Sequence, residues 1–206
     1  MEKYPALGFT HEYLDMTRGE QMHAWWKKIR LMYDIDHEKF FTGPKADNPF
    51  RWHLFHSTMP ANALYMSIQV FYQVVDMLGS DRQRDLWLKP IQNFNMIGAY
   101  AQSELGHGSN VAGLETTAVF DKETDEFVIN MQSLTATKYW PGCLGLWSNH
   151  SAIFARLLID GKDYGVQIFM VQLRSMQTHE QLPGVEVGDI GPKLGQTNND
   201  NGYCIL

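Results

Sequence analysis

The chain has 206 residues, 44% of them hydrophobic and 13% aromatic, which is enough for one large or two small folded domains. Seventeen basic and 23 acidic residues give a net charge of −6 with no block of like charge, so neither nucleic acid nor an anionic membrane is favoured as a partner. The most apolar long run, residues 61–78, contains Gln69, Gln73 and Asp76, which favours a buried helix over a membrane span.

Apolar residues recur at helical spacing through the first half of the chain. Residues 20–33 form the first predicted helix, and its large apolar side chains lie on or near one face: Met22, Trp25, Trp26, Ile29 and Met32. Ser57 and Pro60 then have the residue types of a helix start, in which a hydroxyl cap precedes a proline in the first turn.

The next predicted helix ends at Gly79 and carries two apolar rows. One row is Leu64, Ile68, Phe71, Val75 and Leu78, and the other is Met66, Val70, Val74 and Met77. A helix that is apolar on two sides is expected at the centre of a bundle. Ser80 or Asp81 is expected to cap a shorter helix over residues 84–93, which Pro90 strains.

From about residue 99 the pattern becomes that of β-strands. Residues 116–120 and 127–130 flank a polar turn, and residues 152–159 and 166–173 flank Asp160-Gly161, so two hairpins are predicted. Residues 184–190 predict a further strand. We therefore expect an α+β protein, in which a helical bundle over residues 1–98 precedes an antiparallel β-domain, a small barrel or sandwich, over residues 99–206.

Residues 99–117, AYAQSELGHGSNVAGLETT, lie at the change of pattern. Their three glycines lack a Cβ, so the backbone there can approach a ligand or another segment closely. The spacing of Gly106, Gly108 and Gly113 is not G-x-G-x-x-G, and the stretch is expected to follow a helix and precede a strand, which is the reverse of the Rossmann order. The sequence has no phosphate-binding loop, serine-hydrolase or zincin motif either.

The sequence predicts no metal site. His53 and His56 are three residues apart and could share one helix face, but zinc needs three or four ligands and no third one lies nearby. Two ordinary polar positions are the better interpretation of this pair. Cys143 and Cys204 are too few for a disulfide scaffold.

Several motifs, in order over about 100 residues, resemble the acyl-CoA oxidase family. Residues 100–117 resemble its signature YAQTELGHGT…GLETTA, and residues 182–195 (LPGVEVGDIGPKLG) resemble its LPG-x-x-VGDIGPKFG. Residues 139–142 (YWPG), 148–150 (SNH) and 200–203 (DNGY) are similar to its WWPGG, SNH and DNGY. The helical half resembles the family more loosely, mainly over residues 52–105.

The resemblance implies an FAD flavoprotein of the acyl-CoA dehydrogenase and oxidase superfamily. Members have an N-terminal helical domain, a middle β-domain and a C-terminal helical region, with FAD between the last two. They oxidise a fatty acyl-CoA to the trans-2-enoyl-CoA, and in the oxidases O2 reoxidises the flavin and becomes H2O2. A peroxisomal location, and a homodimer for the full-length family, are implied in the same way.

The resemblance also implies five cofactor-binding residues. Ser103 stands where the family has a threonine that faces the reactive edge of the isoalloxazine, and Ser109, after Gly108, stands where related dehydrogenases place a serine near the FAD pyrophosphate. Gly142 aligns with a glycine whose backbone contacts the flavin, and Trp140 is expected to form a flat wall beside it.

Each of these residues also has a structural alternative. Ser103 could be only a capping hydroxyl, Trp140 could belong to the core, and the glycines could merely shape a crossover between domains. His107 is given no catalytic role. Cys143 replaces a family glycine, and it would strain the loop if that position required a positive φ.

The family's catalytic base is a glutamate in the C-terminal helical region, and no residue here corresponds to it. Glu104 and Glu115 are motif or scaffold positions. We therefore expect this chain to lack the C-terminal helical domains, to bind FAD weakly and to be inactive alone. The alternatives are a non-catalytic fragment that pairs with a full-length relative, and an acyl-CoA dehydrogenase.

Overall fold

The computed structural model describes residues 12–41, 64 and 66–206, with side chains for all of these except residues 32 and 35–41. His53, His56 and the predicted helix start at Ser57 and Pro60 lie outside the described residues. The chain divides into two compact units, Met1–Ala63 with Gly191–Asn199, and Leu64–Ile190 with Asp200–Leu206.

The first unit contains helices α1 (Glu12–Asp15) and α2 (Arg18–Phe41). Helix α2 includes the helix predicted over residues 20–33 and extends it at both ends. Met22, Trp25 and Ile29 are buried, as expected for its apolar face. The Nε of Arg18 donates to the carbonyl oxygen of Thr197 at 2.6 Å, which joins the start of α2 to the loop over residues 191–199.

The described helices of the second unit are a π-helical turn (Ser67–Phe71), α3 (Tyr72–Leu78), α4 (Asp81–Gln92) and two short 3-10 helices (Val111–Gly113 and Leu134–Ala136). Gly79 follows α3, as predicted, and Ser80, one of the two predicted caps, caps α4 through a reciprocal capping box with Gln83. Helix α4 begins three residues before the predicted start at residue 84. The expectation of burial on two sides was wrong at the end of α3, because Met77 and Leu78 are 67% and 66% exposed. One apolar row is therefore buried up to Val75.

The second unit also contains two sheets. The larger one has five strands, β1 (Gly98–Ala101), β2 (Thr117–Asp121), β3 (Glu126–Asn130), β5 (His150–Ile159) and β6 (Lys162–Gln172). The smaller one is an antiparallel set of three, β4 (Lys138–Tyr139), β8 (Gly202–Ile205) and β7 (Glu186–Asp189). Strands β1, β4 and β8 were not predicted, because each is too short to show a period of two.

The larger sheet is mixed, which corrects the expected antiparallel one. Both predicted hairpins, β2–β3 and β5–β6, are present and antiparallel. However, β1 and β2 both pair with β5 in parallel, at successive positions along the same edge. Within the described residues neither sheet closes into a barrel, and a helical bundle followed by a barrel is not confirmed.

The glycine-rich stretch leaves this sheet after β1 and re-enters it at β2. Ala101 pairs with Ile153, and Thr117 pairs with Arg156, so residues 102–116 form an excursion between two nearby points on β5. A strand therefore precedes the stretch, where a helix was expected. The rejection of Rossmann binding holds, because a strand and not a helix follows.

One core cluster is made of buried apolar side chains from both sheets and the loops between them: Ala99, Ala101, Met131, Ala136, Leu144, Ile153, Leu173, Val187 and Cys204. This core joins the short strands of the smaller sheet to β1 and β5. Among the described residues, no helix has both the length and the apolar character that crossing a membrane requires.

Candidate cofactor site

The two segments that carry the predicted cofactor residues lie side by side. The carbonyl oxygen of Ser103 accepts the N–H of Tyr139 at 3.0 Å, and two further backbone bonds, Leu105 to Thr137 and Gly106 to Thr135, continue the pairing. Residues 103–106 and 135–139 are therefore antiparallel neighbours. The structure thus brings Ser103 next to the start of the loop that holds Trp140 and Gly142.

The Ser103 side chain is half-buried, and within the described part of the chain its hydroxyl has no hydrogen-bond partner. A serine that merely capped a turn would use its oxygen to accept a backbone N–H. The Ser103 hydroxyl is instead available as a donor to a ligand. The described hydrogen bonds therefore include no capping bond by Ser103, and its role in binding stays a prediction.

Trp140 lies at the surface of the loop and not in the core. Its side chain is 54% exposed, and its φ of 83° is in the left-handed region that non-glycine residues seldom occupy. The ring of Tyr139 meets it edge to face, with centroids 6.0 Å apart. Pro141 and Gly142 behind it are buried. The indole is thus exposed, while the backbone that carries it is strained and the residues after it are buried. Such an indole can serve as the flat wall that the sequence predicted.

Cys143 follows Gly142 with a φ of 69°, so this position does require a positive φ. Comparing Cys143→Gly with Cys143→Ala isolates the strain, because both changes remove the buried thiol. We expect the glycine variant to be more stable by about 1 kcal/mol, measured by urea unfolding, because glycine adopts this φ without steric cost. A more stable alanine variant would show that the position carries no strain.

Gly108 and Ser109 lie at the exposed tip of the excursion, beyond a tight turn in which Glu104 and His107 exchange both backbone hydrogen bonds. A Cβ built on Gly106 would lie 2.7 Å from Thr135, whereas one on Gly108 would meet nothing within 4 Å. Gly106 is therefore needed for packing within the chain, and Gly108 leaves open space. No described hydrogen bond joins Ser109 to the Trp140 loop.

Beneath Ser103 lies a buried ion pair. The side chains of Glu104 and Lys138 are 0% exposed, and Lys138 Nζ lies 2.9 Å from Glu104 Oε1. Burial alone would raise the pKa of Glu104, but hydrogen bonds from the Glu115 N–H, Thr116 and Lys138 outweigh it and lower that pKa. Burial lowers the pKa of Lys138 against the attraction of Glu104. Glu104 is thus an ionised scaffold residue, as the sequence predicted, and not an available base.

Glu104, His107 and Glu115 place one ligand atom each within 4.8 Å of one another. The Glu104 carboxylate already accepts bonds from the N–H of Glu115, the N–H of Thr116 and the ammonium of Lys138. A metal ion there would have to displace these donors and tolerate the adjacent ammonium. We therefore interpret the cluster as part of the scaffold.

The loop that follows Gly142 is held by two buried charged residues that sequence reasoning did not identify. Arg174 donates to the carbonyl oxygens of Gly145, at 2.9 Å, and of Ser148. Asp200 Oδ2 accepts the N–H groups of Leu146, at 3.0 Å, and of Trp147, at 3.2 Å. Together they satisfy donors and acceptors on both sides of the loop. The DNGY motif marked the position of Asp200 but not this role.

The SNH motif also holds the backbone in place through side-chain hydrogen bonds. Asn149 Oδ1 accepts the N–H of Ile97, and its Nδ2 donates to the carbonyl oxygen of Asn95, both at 3.0 Å. His150 Nδ1 lies 2.9 Å from the same Oδ1, and burial lowers the pKa of His150 to about 4. The motif therefore fixes the start of β1 against β5, and His150 is neutral at physiological pH.

Comparison with known proteins identifies what this arrangement is similar to. No protein-family model matches the chain. A protein of Arabidopsis thaliana named putative peroxisomal acyl-coenzyme A oxidase 1.2 is 50% identical over 193 residues, which are 92% of this chain and 27% of that protein. Peroxisomal acyl-coenzyme A oxidase 1 of Rattus norvegicus is 39% identical over 200 residues, which are 96% of this chain and 30% of that protein.

Solved structures show the same likeness in three dimensions. Acyl-CoA oxidase-1 of Caenorhabditis elegans, crystallised with FAD and ATP, has a TM-score of 0.90 at 35% identity and matches 100% of this chain over 31% of its own. An acyl-CoA oxidase from tomato has a TM-score of 0.87 at 39% identity and matches 98% of this chain over 30% of its own. In sequence and in fold, the chain is therefore similar to one stretch of known acyl-CoA oxidases, and it spans about 30% of the length of the relatives it matches.

Proposed function

We propose that this chain forms one wall of the FAD site of an acyl-CoA oxidase, which oxidises a fatty acyl-CoA to the trans-2-enoyl-CoA and reduces O2 to H2O2. The observation that carries the proposal is the adjacency of Ser103 and the Trp140–Gly142 loop, which come from sequence segments more than 30 residues apart. The names of the relatives support an oxidase over an acyl-CoA dehydrogenase.

The residues present fit a flavin in three respects. The Ser103 hydroxyl is an unused donor, Trp140 offers an exposed aromatic face, and Gly108 leaves space for close approach. Bound FAD would supply the acceptor for the substrate hydride. Ser103 would donate toward the charge that develops on the ring, and positioned donors are worth most where charge develops. Gly142 would present its backbone, and Ser109 with Gly108 would face the pyrophosphate.

We assign no proton-abstracting residue within this chain. The family base implied by the resemblance is a glutamate of the C-terminal helical region, and Glu104 is consumed by its ion pair with Lys138. The chain alone is therefore proposed to be inactive. We also propose that residues 1–98 and 99–206 correspond to the N-terminal and middle domains, that the protein is peroxisomal like the curated relatives, and that the full-length form is a homodimer.

The test is retention of FAD by the purified 206-residue chain after desalting, read from the visible flavin absorbance. Ser103→Ala is expected to weaken FAD binding about 2- to 10-fold, the usual value of one hydrogen bond. Ser103→Thr keeps the hydroxyl and is expected to bind like the unchanged chain. Gln132→Ala, at an exposed position that is not one of the candidate cofactor residues, is the surface control.

If the chain is folded but retains no flavin, these residues do not bind FAD without the rest of the protein, which would contradict the proposal for this chain. The alternative is a non-catalytic portion that pairs with a full-length relative. A stable, flavin-free complex with a full-length oxidase would favour that alternative.

A further inference from the structure

We propose that Asn201 is a positioning residue that sets the conformation of Trp140, and with it the aromatic wall of the candidate cofactor site. The inference rests on the proposed function for its link to flavin. The structural part, that one amide side chain fixes the Trp140 peptide, rests on this chain's own geometry.

The Trp140–Pro141 segment is held at three points by two consecutive residues that follow it by about 60 positions. Asn201 Nδ2 donates to the carbonyl oxygen of Trp140 at 2.6 Å. The N–H of Trp140 donates to the carbonyl oxygen of Gly202, and the N–H of Gly202 donates to that of Pro141, both at 3.0 Å. Only the first of these bonds uses a side chain, so it alone depends on residue identity.

This bond matters because the Trp140 backbone is strained. A non-glycine residue in a sparsely populated φ/ψ region costs about 1–3 kcal/mol, and it persists only where its surroundings hold it. The half-exposed indole contributes little burial that could hold it. The hydrogen bond from Asn201 to the Trp140 carbonyl is therefore one of three restraints on this segment, and the one through which a side chain fixes the next peptide and so the orientation of the indole.

Asn201 is itself well anchored. Its carbonyl oxygen accepts the N–H of Ile190 at 2.9 Å, just beyond β7. The preceding residue, Asp200, accepts two loop N–H groups through its carboxylate and the Gly145 N–H, at 3.0 Å, through its backbone carbonyl. Because these hydrogen bonds hold the backbone of residues 200 and 201, the short Asn201 side chain can hold the Trp140 carbonyl in one position.

The experiment replaces the amide of Asn201, which donates to the Trp140 carbonyl, by a carboxylate of nearly the same shape, which can only accept. Asn201→Asp in the full 206-residue chain puts a carboxylate against the Trp140 carbonyl. The matched control is Gln167→Glu, because Gln167 is exposed on β6 and its Nε2 donates to the carbonyl oxygen of Tyr164 in the same unit. The chain has six tryptophans, so labelling with 5-fluorotryptophan gives six fluorine NMR signals, and Trp140→Phe identifies that of Trp140.

We expect Asn201→Asp to shift or broaden the Trp140 fluorine signal and to weaken FAD retention, while Gln167→Glu changes neither. Asn201→Ala, which introduces no charge, is expected to act in the same direction and replaces Asn201→Asp if the acid variant does not fold. An unchanged Trp140 signal in these variants overturns the inference, whether or not the chain binds FAD. A moved signal with unchanged flavin retention overturns the link to the cofactor. If even the unchanged chain retains no FAD, the proposed function fails for this chain and the fluorine signal still decides the role of Asn201.

Discussion

Replacing Glu104 by alanine is expected to lower the free energy of unfolding by about 3–5 kcal/mol, because it leaves the Lys138 ammonium buried without its counter-charge. Lys138 would keep only carbonyl partners, those of Gln102 and Phe154. The N–H groups of Glu115 and Thr116 would also lose their acceptor. Urea unfolding followed by far-UV circular dichroism measures the change.

Two further variants make this prediction specific. Glu115→Ala removes an exposed carboxylate of the same motif and is expected to cost less than about 1 kcal/mol. The double variant Glu104→Leu/Lys138→Met removes both buried charges and is expected to be more stable than Glu104→Ala, since an apolar pair of similar volume leaves no uncompensated charge. If Glu104→Ala and Glu115→Ala cost the same, the buried pair is not what holds the excursion to the sheet.

The second large effect is on pH dependence, and it comes from Asp200. Burial raises the pKa of this carboxyl from 3.8 to about 7, with the nearby Asp189 acting in the same direction and the N–H groups of Leu146 and Trp147 acting against it. The folded state therefore binds a proton that the unfolded state releases. Between pH 4 and 7 this group makes the protein less stable as pH rises, by up to about 4 kcal/mol from a shift of about three units.

The sign follows from proton linkage. Below pH 3.8 both states hold the proton and the stabilisation is complete, whereas above about pH 7 the folded state must carry a buried carboxylate and the stabilisation is lost. Asp200→Asn cannot titrate, so we expect it to remove this slope. The measurement is the urea midpoint of both proteins from pH 4 to 8, and parallel curves would contradict the raised pKa.

His150 acts in the opposite direction over nearly the same range. Its pKa falls from 6.5 to about 4 on folding because the ring is buried, so its contribution is complete above pH 6.5 and is lost as pH falls toward 4. In the unchanged protein the two slopes partly cancel. His150→Asn is therefore the matched control, since it should make the decline in stability with rising pH steeper, whereas Asp200→Asn should reverse it.

The features that the sequence predicted well are local. The Asp160-Gly161 turn and the Ser80 cap depend on a few neighbouring residues, and both are found where they were expected. The parallel pairing of β1 with β5 depends on residues about 50 positions apart, and four residues such as GAYA carry no periodicity that distinguishes a strand from a helix end. The mixed sheet was therefore not predictable from the pattern.

The candidate site also has residues that the sequence motifs marked and residues that depend on distant contacts. The motifs marked Ser103, Trp140 and Gly142. At Cys143 the sequence raised a positive φ only as a condition, and the structure shows that the condition is met. The restraints behind them, Arg174 and Asp200, were missed because nothing in a sequence shows that a charged residue next to a strand points inward.

The return of β2 to the same edge of β5 has a consequence for how the candidate site can vary. The ends of the excursion pair with Ile153 and Arg156, three residues apart on one strand, which places them about 10 Å from each other. Loop-closure entropy grows only logarithmically with length, and doubling a flexible loop costs roughly 0.6 kcal/mol. The tip around Gly108 and Ser109 can thus gain or lose residues at little cost to the sheet, while Ser103 stays fixed beside Tyr139. Such an excursion separates the part of a cofactor site that must stay in place from the part that is free to change.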